Sequence, residues 1–239
     1  MSEAIDALIA DELIDDILFP VKSGKEATIF CCSGGVRSHA ELVAVKVYKP
    51  QRYRAFRNDS VYQEGRVILD RRAARAAAKR TRFGHHVHSS AWTNREFETL
   101  RLLHRAGARV PRPLGHTAGA IAMEWIGDAD RPAPQLKDVS LDRDQAQAVF
   151  DQLIADIELW LACNIVHADL SAYNLLWSGE RLVAIDFPQA CDPRFNSNAA
   201  WLLTRDVEHA CQAFARWGVR SDPGELADAL WDRFTRGQL

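Results

Sequence analysis

A chain of 239 residues with 47% hydrophobic and 26% charged residues can bury a sizeable core, and this composition excludes wholesale disorder and collagen-like repeats. No apolar run reaches the roughly 18–20 residues of a membrane helix. Five cysteines without a C-x-x-C pair argue against a disulfide framework or a structural zinc site. The formal charge of −2 is near neutral but conceals a strong local asymmetry. The amino terminus, Met1-Ser2-Glu3-Ala4-Ile5-Asp6, is acidic where a signal peptide is basic, so the expectation is a cytoplasmic protein with reduced thiols and no membrane partner.

In chain order, apolar residues at Ile5, Leu8, Ile9, Leu13, Ile14 and Ile17 predict one helix over 3–18. Leu18–Val21, Ala27–Cys32 and Leu42–Tyr48 read as strands of a small antiparallel sheet, with Ser33-Gly34-Gly35 as a turn. Residues 49–88 hold eleven Lys/Arg against Asp59, Glu64 and Asp70. They lack a sustained apolar face, which predicts a mobile basic insertion extending to about residue 90.

Helical spacing returns over 92–106 and stops at Val110-Pro111-Arg112-Pro113, followed by strands near Leu114–Thr117 and Ala120–Trp125. A long amphipathic helix is predicted over about 142–163, with Val149, Phe150, Leu153, Ile154, Ile157 and Leu161 on its buried face. A hairpin follows (Leu175–Trp177 and Leu182–Ile185 around Ser178-Gly179), then a helical region over about 205–236. The expected fold class is α+β in one domain spanning 1–239. It would be bilobal, with an antiparallel sheet in a lobe of about 1–126 and a mostly helical lobe of about 127–239.

The strongest chemical signal is His167-Ala168-Asp169-Leu170-Ser171-Ala172-Tyr173-Asn174 followed by Ile185-Asp186-Phe187. In this H-x-D-x-x-x-x-N pattern, phosphoryl transfer needs Asp169 to orient or accept the proton of an attacking hydroxyl. Asn174 and Asp186 would supply hard oxygen ligands to Mg²⁺ at the phosphates. Lys46 is a lone charge inside an apolar strand. Packed among Leu42, Val43, Val45 and Val47, it needs an anion, for which Glu96 is the natural partner. Lys22-Ser23-Gly24-Lys25-Glu26-Ala27 lies between two strands as a weak phosphate-covering turn; it meets neither the Walker A nor the G-x-G-x-x-G pattern.

The set Ser23-Gly24-Lys25-Glu26-Ala27, Ala44-Val45-Lys46-Val47-Tyr48, Met123-Glu124-Trp125-Ile126-Gly127, His167 to Asn174, Ile185 to Ala190 and Arg205-Asp206-Val207-Glu208 resembles the RIO family of atypical serine/threonine protein kinases over about residues 17–215. The S-G-K-E-A loop and the L-S-x-Y-N form of the catalytic loop are particular to that family. The resemblance implies a protein-kinase-like fold. It implies ATP with Mg²⁺ (or Mn²⁺), adenine at the backbone of Glu124 and Ile126 beside Met123, and phosphates near Ser23, Lys25 and Lys46. Asp169 would be the catalytic acid/base, Lys46 would pair with Glu96, and Asn174 and Asp186 would be the metal ligands. In some members the residue matching Asp186 takes the phosphate itself, so that turnover resembles an ATPase. No winged-helix segment is expected ahead of the lobes.

Only 53 residues follow Asp186, without an A-P-E motif, so the second lobe is expected to be truncated and to lack the usual peptide platform. The expected activity is ATP- and Mg²⁺-dependent phosphorylation of serine/threonine, including autophosphorylation, or slow ATP hydrolysis through an aspartyl-phosphate at Asp186. Two other readings share the pattern: a small-molecule phosphotransferase of the aminoglycoside or choline kinase type, and an ATP-switched RNA or ribosome assembly factor. The basic segment 49–88, interleaved with Tyr53, Phe56, Tyr62 and Phe83, suits RNA or a ribosomal particle. As a solvated loop it would instead carry autophosphorylation sites such as Ser60, Thr81, Ser89 or Ser90. His85-His86-Val87-His88 lacks an acidic or cysteine partner for a metal.

Overall fold

The computed structural model describes residues 2–49 and 82–239. The insertion at 50–81, with Tyr53, Phe56, Ser60, Tyr62 and Thr81, lies outside the described residues, as do the side chains of 82–91 with Phe83, the three histidines, Ser89 and Ser90. The rest divides into two compact units: residues 2–49, 82–101 and 111–132 in the first, and 102–110 and 133–239 in the second.

The first unit contains α1 (Ser2–Ala10), β1 (Ile14–Ser23), β2 (Ala27–Gly34), β3 (Leu42–Tyr48), most of α2 (Arg82–Arg105), β4 (Pro113–His116) and β5 (Ala120–Glu124). The strands form one antiparallel sheet in the order β1-β2-β3-β5-β4. Strand periodicity sends Val43, Val45 and Val47 to one face, where they join Ile5 and Leu8 of α1 and Phe30 of β2 in a continuous core. Lys46 points to the other face, between its register partners Ile29 and Ile121. The expectation that Val43, Val45 and Val47 surround Lys46 is therefore corrected.

The helix predicted over 3–18 ends at Ala10. Glu12 takes a left-handed backbone (φ 57°), the chain reverses, and residues 14–23 pair with β2 from Ile14↔Gly34 to Ser23↔Thr28. Leu13, Ile14 and Ile17 fit a helical stripe or a strand equally well, and long-range pairing decides between them. Helix α2 starts ten residues before the expected 92, because helix propagation needs only backbone hydrogen bonds and no apolar face.

Ser33 and Gly34, expected in a turn, instead end strand β2, paired with Leu42 and Ile14, and Gly34 sits at the tightest corner among the described residues. A β-carbon there would overlap the Ala40 carbonyl oxygen and lie 2.7 Å from Ser38 Oγ. Gly34→Ala is expected to destabilise the protein by about 1–3 kcal/mol, read from its denaturant midpoint.

The second unit contains α3 (Arg143–Ala162), β6 (Leu175–Trp177), β7 (Leu182–Ala184), α4 (Ala199–Ala215) and α5 (Pro223–Thr235). Helix α3 begins at a capping box in which Asp142 and Gln145 each accept the other's backbone N–H. It buries Val149, Phe150, Leu153, Ile157 and Leu161 as its periodicity predicts, while Ile154, expected on the same face, is only half-buried; Phe150 packs edge-on to Phe214 of α4. The single carboxy-terminal helical region resolves into two helices. Gly218 (φ 80°) ends the first, and Asp222 caps the second ahead of Pro223. Among the described residues no helix is long and apolar enough to cross a membrane.

Candidate active site

In the first unit the ammonium of Lys46 donates to both carboxylate oxygens of Glu96, at 2.8 and 2.9 Å. Glu96 is 1% exposed at its side chain and Lys46 8%. Strand β3 is central, flanked by β2 and β5, and Lys46, on the face away from the apolar core, is buried where Glu96 of α2 meets it. Lys46 also lies 5.2 Å from the Tyr48 ring centroid.

At the β1–β2 turn, Gly24 N–H donates to the Ala27 carbonyl. Ser23 Oγ accepts from Lys49 Nζ at 3.0 Å and lies 3.2 Å from Thr28 Oγ1. Lys25 is exposed, with no hydrogen bond or ion pair among the described residues. Along β5, Met123 is buried opposite Ala44, and Glu124 N–H donates to the Arg112 carbonyl. The Ile126 N–H donates to no backbone carbonyl among the described residues. A backbone donor left open beyond the strand is the group a purine edge requires.

In the second unit His167 is buried and accepts the Asp169 N–H at Nδ1, 3.3 Å away. That leaves the proton on Nε2, which faces the Ile185 carbonyl at 3.2 Å. The imidazole therefore links the loop carrying Asp169 to the strand end preceding Asp186, and Phe187 packs against the ring at 4.4 Å. Asn174 donates through Nδ2 to the Asp169 carbonyl at 2.9 Å, and its own carbonyl accepts from Ile185 N–H at 2.9 Å. These bonds tie the Asp169 loop to Asn174, and Asn174 to Ile185, the residue before Asp186. With its amide nitrogen occupied, Asn174 keeps Oδ1 available. One amide and one carboxylate oxygen fit a hard cation such as Mg²⁺, which takes the rest of its shell from phosphate and water. Among the described residues no group of three or more His, Cys, Asp or Glu is arranged to hold a metal.

Asp169 is exposed, yet the protein around its carboxyl raises its pKa. The charge of Asp186 adds to that rise, and Arg205 and His209 oppose it. Two residues near it hold left-handed backbones, Ala168 (φ 66°) and Asp186 (φ 71°), a strain of about 1–2 kcal/mol each that the surroundings must hold in place.

Asp206 holds the turn at Ala168, accepting Ala168 N–H at 2.6 Å and Leu170 N–H at 3.0 Å. The sequence motif Arg205-Asp206-Val207-Glu208 carries no role for Asp206, though a signal is there. It is an acid on the buried stripe of α4 with Leu202, Leu203, Val207 and Ala210, the same anomaly that singled out Lys46 in β3. Asp156 is a second such case on α3, paired with Arg109 at 3.0 Å.

Burial pushes Asp206 from 3.8 up to about 7, against the opposing pull of its two backbone N–H bonds and Arg205. The folded protein therefore keeps a proton that the unfolded chain releases above about pH 4. The contribution of Asp206 to stability is then greatest at low pH and falls as pH rises toward 7, by on the order of 4 kcal/mol at full ionisation. The unfolding free energy of the wild type minus that of Asp206→Asn should decline from pH 4 to 7 and then level off; a flat difference would contradict the raised value.

The family profile described as the RIO domain matches residues 29–226. Among curated proteins, the chain is 32% identical to the RIO-type serine/threonine-protein kinase Rio1 of Thermoplasma acidophilum, over 81% of this chain and 95% of that protein. It is 33% identical to Rio1 of Haloferax volcanii, over 93% of this chain and 71% of the relative. Among solved structures, the Rio2 kinase–ADP/Mg²⁺–phosphoaspartate complex of Chaetomium thermophilum superposes with a TM-score of 0.71 at 21% identity, covering 95% of this chain and 64% of that one. That likeness establishes the protein-kinase-like α+β fold.

Proposed function

The chain belongs to the RIO family of serine/threonine-protein kinases, enzymes of ATP-dependent phosphoryl transfer, and from that premise we propose which of its residues carry each step. Lys46, held by Glu96, neutralises the phosphates of ATP, with Ser23 and Lys25 of the β1–β2 turn beside them. The backbone of Glu124 and Ile126, next to Met123, receives the adenine. Asp169 orients the attacking hydroxyl and takes its proton. Asn174 and Asp186 hold Mg²⁺, for which Mn²⁺ is the natural substitute to compare; the metal supplies charge neutralisation at the phosphates.

The observation that carries this reading is the bonding around Asp169. His167 and Asn174 take its backbone N–H and C=O, so the carboxylate projects from a backbone fixed on both sides while the Asn174 amide oxygen stays open. The acceptor is a serine or threonine hydroxyl, on this chain in autophosphorylation. A second acceptor is the Asp186 carboxylate, a reading favoured by the phosphoaspartate named in the Chaetomium thermophilum Rio2 complex. On that route an Asp186 carboxylate oxygen forms the new P–O bond, ADP departs, and water later releases phosphate, giving slow ATP hydrolysis. The five free thiols suit a cytoplasmic setting. RNA or a ribosomal particle remains the proposed partner of segment 49–88.

Incubation with γ-labelled ATP and Mg²⁺ tests the scheme. Acid-stable label on the protein is expected for serine/threonine phosphorylation, and hydroxylamine-labile label for the Asp186 acyl phosphate. Label found only on an added aminoglycoside or alcohol would overturn the assignment to a protein acceptor.

A further inference from the structure

Side chains hold every peptide group of residues 168–170. Asp206 accepts the N–H groups of Ala168 and Leu170, while His167 and Asn174 hold the N–H and C=O of Asp169. Arg205 donates to the Ala168 carbonyl. His209 Nδ1 donates to the Leu170 carbonyl at 2.8 Å, and among the described residues no other donor reaches that oxygen. Arg205, Asp206 and His209 stand at i, i+1 and i+4 of α4, so a single helical face grips the loop on both sides of Asp169. A loop bonded to neighbouring backbone would keep its shape through side-chain changes. Among the described residues, this one has no such support at 168–170.

We propose that His209 is a positioning residue for Asp169. Its Nδ1–H fixes the Leu170 carbonyl, and with it the Leu170–Ser171 peptide plane one residue beyond Asp169, so that the chain leaving Asp169 is anchored and the carboxylate meets the attacking hydroxyl in one orientation. The proposal rests on Asp169 being the catalytic acid/base. Asp206, Arg205, His167 and Asn174 hold the two peptides that flank Asp169, which leaves the Leu170 carbonyl as the one group whose hold depends on His209. The donor is the δ nitrogen, so asparagine is the side chain that replaces it: its amide nitrogen occupies the same place relative to the backbone. Phenylalanine keeps the ring and lacks the donor.

Steady-state ATP turnover by the full chain with Mg²⁺ tests this in His209→Phe, His209→Ala and His209→Asn, beside Asp169→Asn. Misplacement of a catalytic group by a fraction of an ångström predicts kcat about tenfold lower in the Phe and Ala variants, with KM for ATP within about twofold. Asparagine is expected to recover kcat to within about threefold of wild type, since the hydrogen bond is restored. Packing alone would spare the Phe variant and give asparagine no advantage. Phe and Ala variants turning over within about twofold of wild type, or an Asn variant as slow as Phe, would overturn the positioning role while Asp169→Asn remains inactive. Asp169→Asn at the wild-type rate would overturn the reading beneath it, and the positioning role with it.

Discussion

Asp186→Ala is expected to reduce phosphoryl transfer at least about a hundredfold, the scale on which removing a group that stabilises transition-state charge is felt. Asp186 is the proposed carboxylate ligand at the phosphates and the proposed acceptor in the aspartyl-phosphate route, so its loss removes both label classes at once. Its left-handed backbone (φ 71°) adds a complication, because alanine tolerates that conformation less well than aspartate or asparagine. Asp186→Asn keeps the backbone preference and deletes the charge. Transfer should be as low in the Asn variant as in the Ala variant, while the Asn variant unfolds at the higher temperature. Labelled ATP with thermal unfolding measures both quantities, and near-normal transfer in either variant would refute the assignment.

Lys46→Ala should be costly twice over. Transfer should again fall at least about a hundredfold, because the ammonium at the phosphates is gone. Stability should fall by about 3–5 kcal/mol, because a carboxylate 1% exposed loses the cation bonded to both its oxygens. A double variant, Lys46→Met with Glu96→Leu, separates the two losses. Replacing the pair with apolar groups should return much of the stability seen in denaturant unfolding, and none of the transfer. If Lys46→Ala unfolds at the wild-type midpoint, the pair contributes little to the fold. If it transfers at the wild-type rate, Lys46 does not hold the phosphates.

The parts of the site that could be read in the sequence share a physical feature. Lys46 is a charge in an apolar strand, and the pattern from His167 to Asp186 crowds hard oxygen donors around one short hairpin. Both are anomalies against a background set by packing, and the structure gives each a bonded partner: Glu96 for Lys46, and the Asn174–Asp169 and Ile185–Asn174 bonds for the loop. Asp206 was the same kind of anomaly on a helix. Its use could not be read, because its partners are backbone N–H groups, which every residue carries and no side-chain pattern reveals.

Local sequence by itself determined the long helix α3, the hairpin after Asn174, and strands β2 and β3: α3 carries one apolar stripe behind a capping box, and the strands are short apolar runs. Tertiary structure alone decided that the run after Ala10 leaves the helix for strand β1, that Lys46 faces away from Val45 and Val47, and that α4 grips residues 168–170. Those outcomes depend on hydrogen bonds and contacts between residues far apart in the chain. The free energy of such pairings outweighs local propensity wherever a stretch of sequence can satisfy two periods equally well.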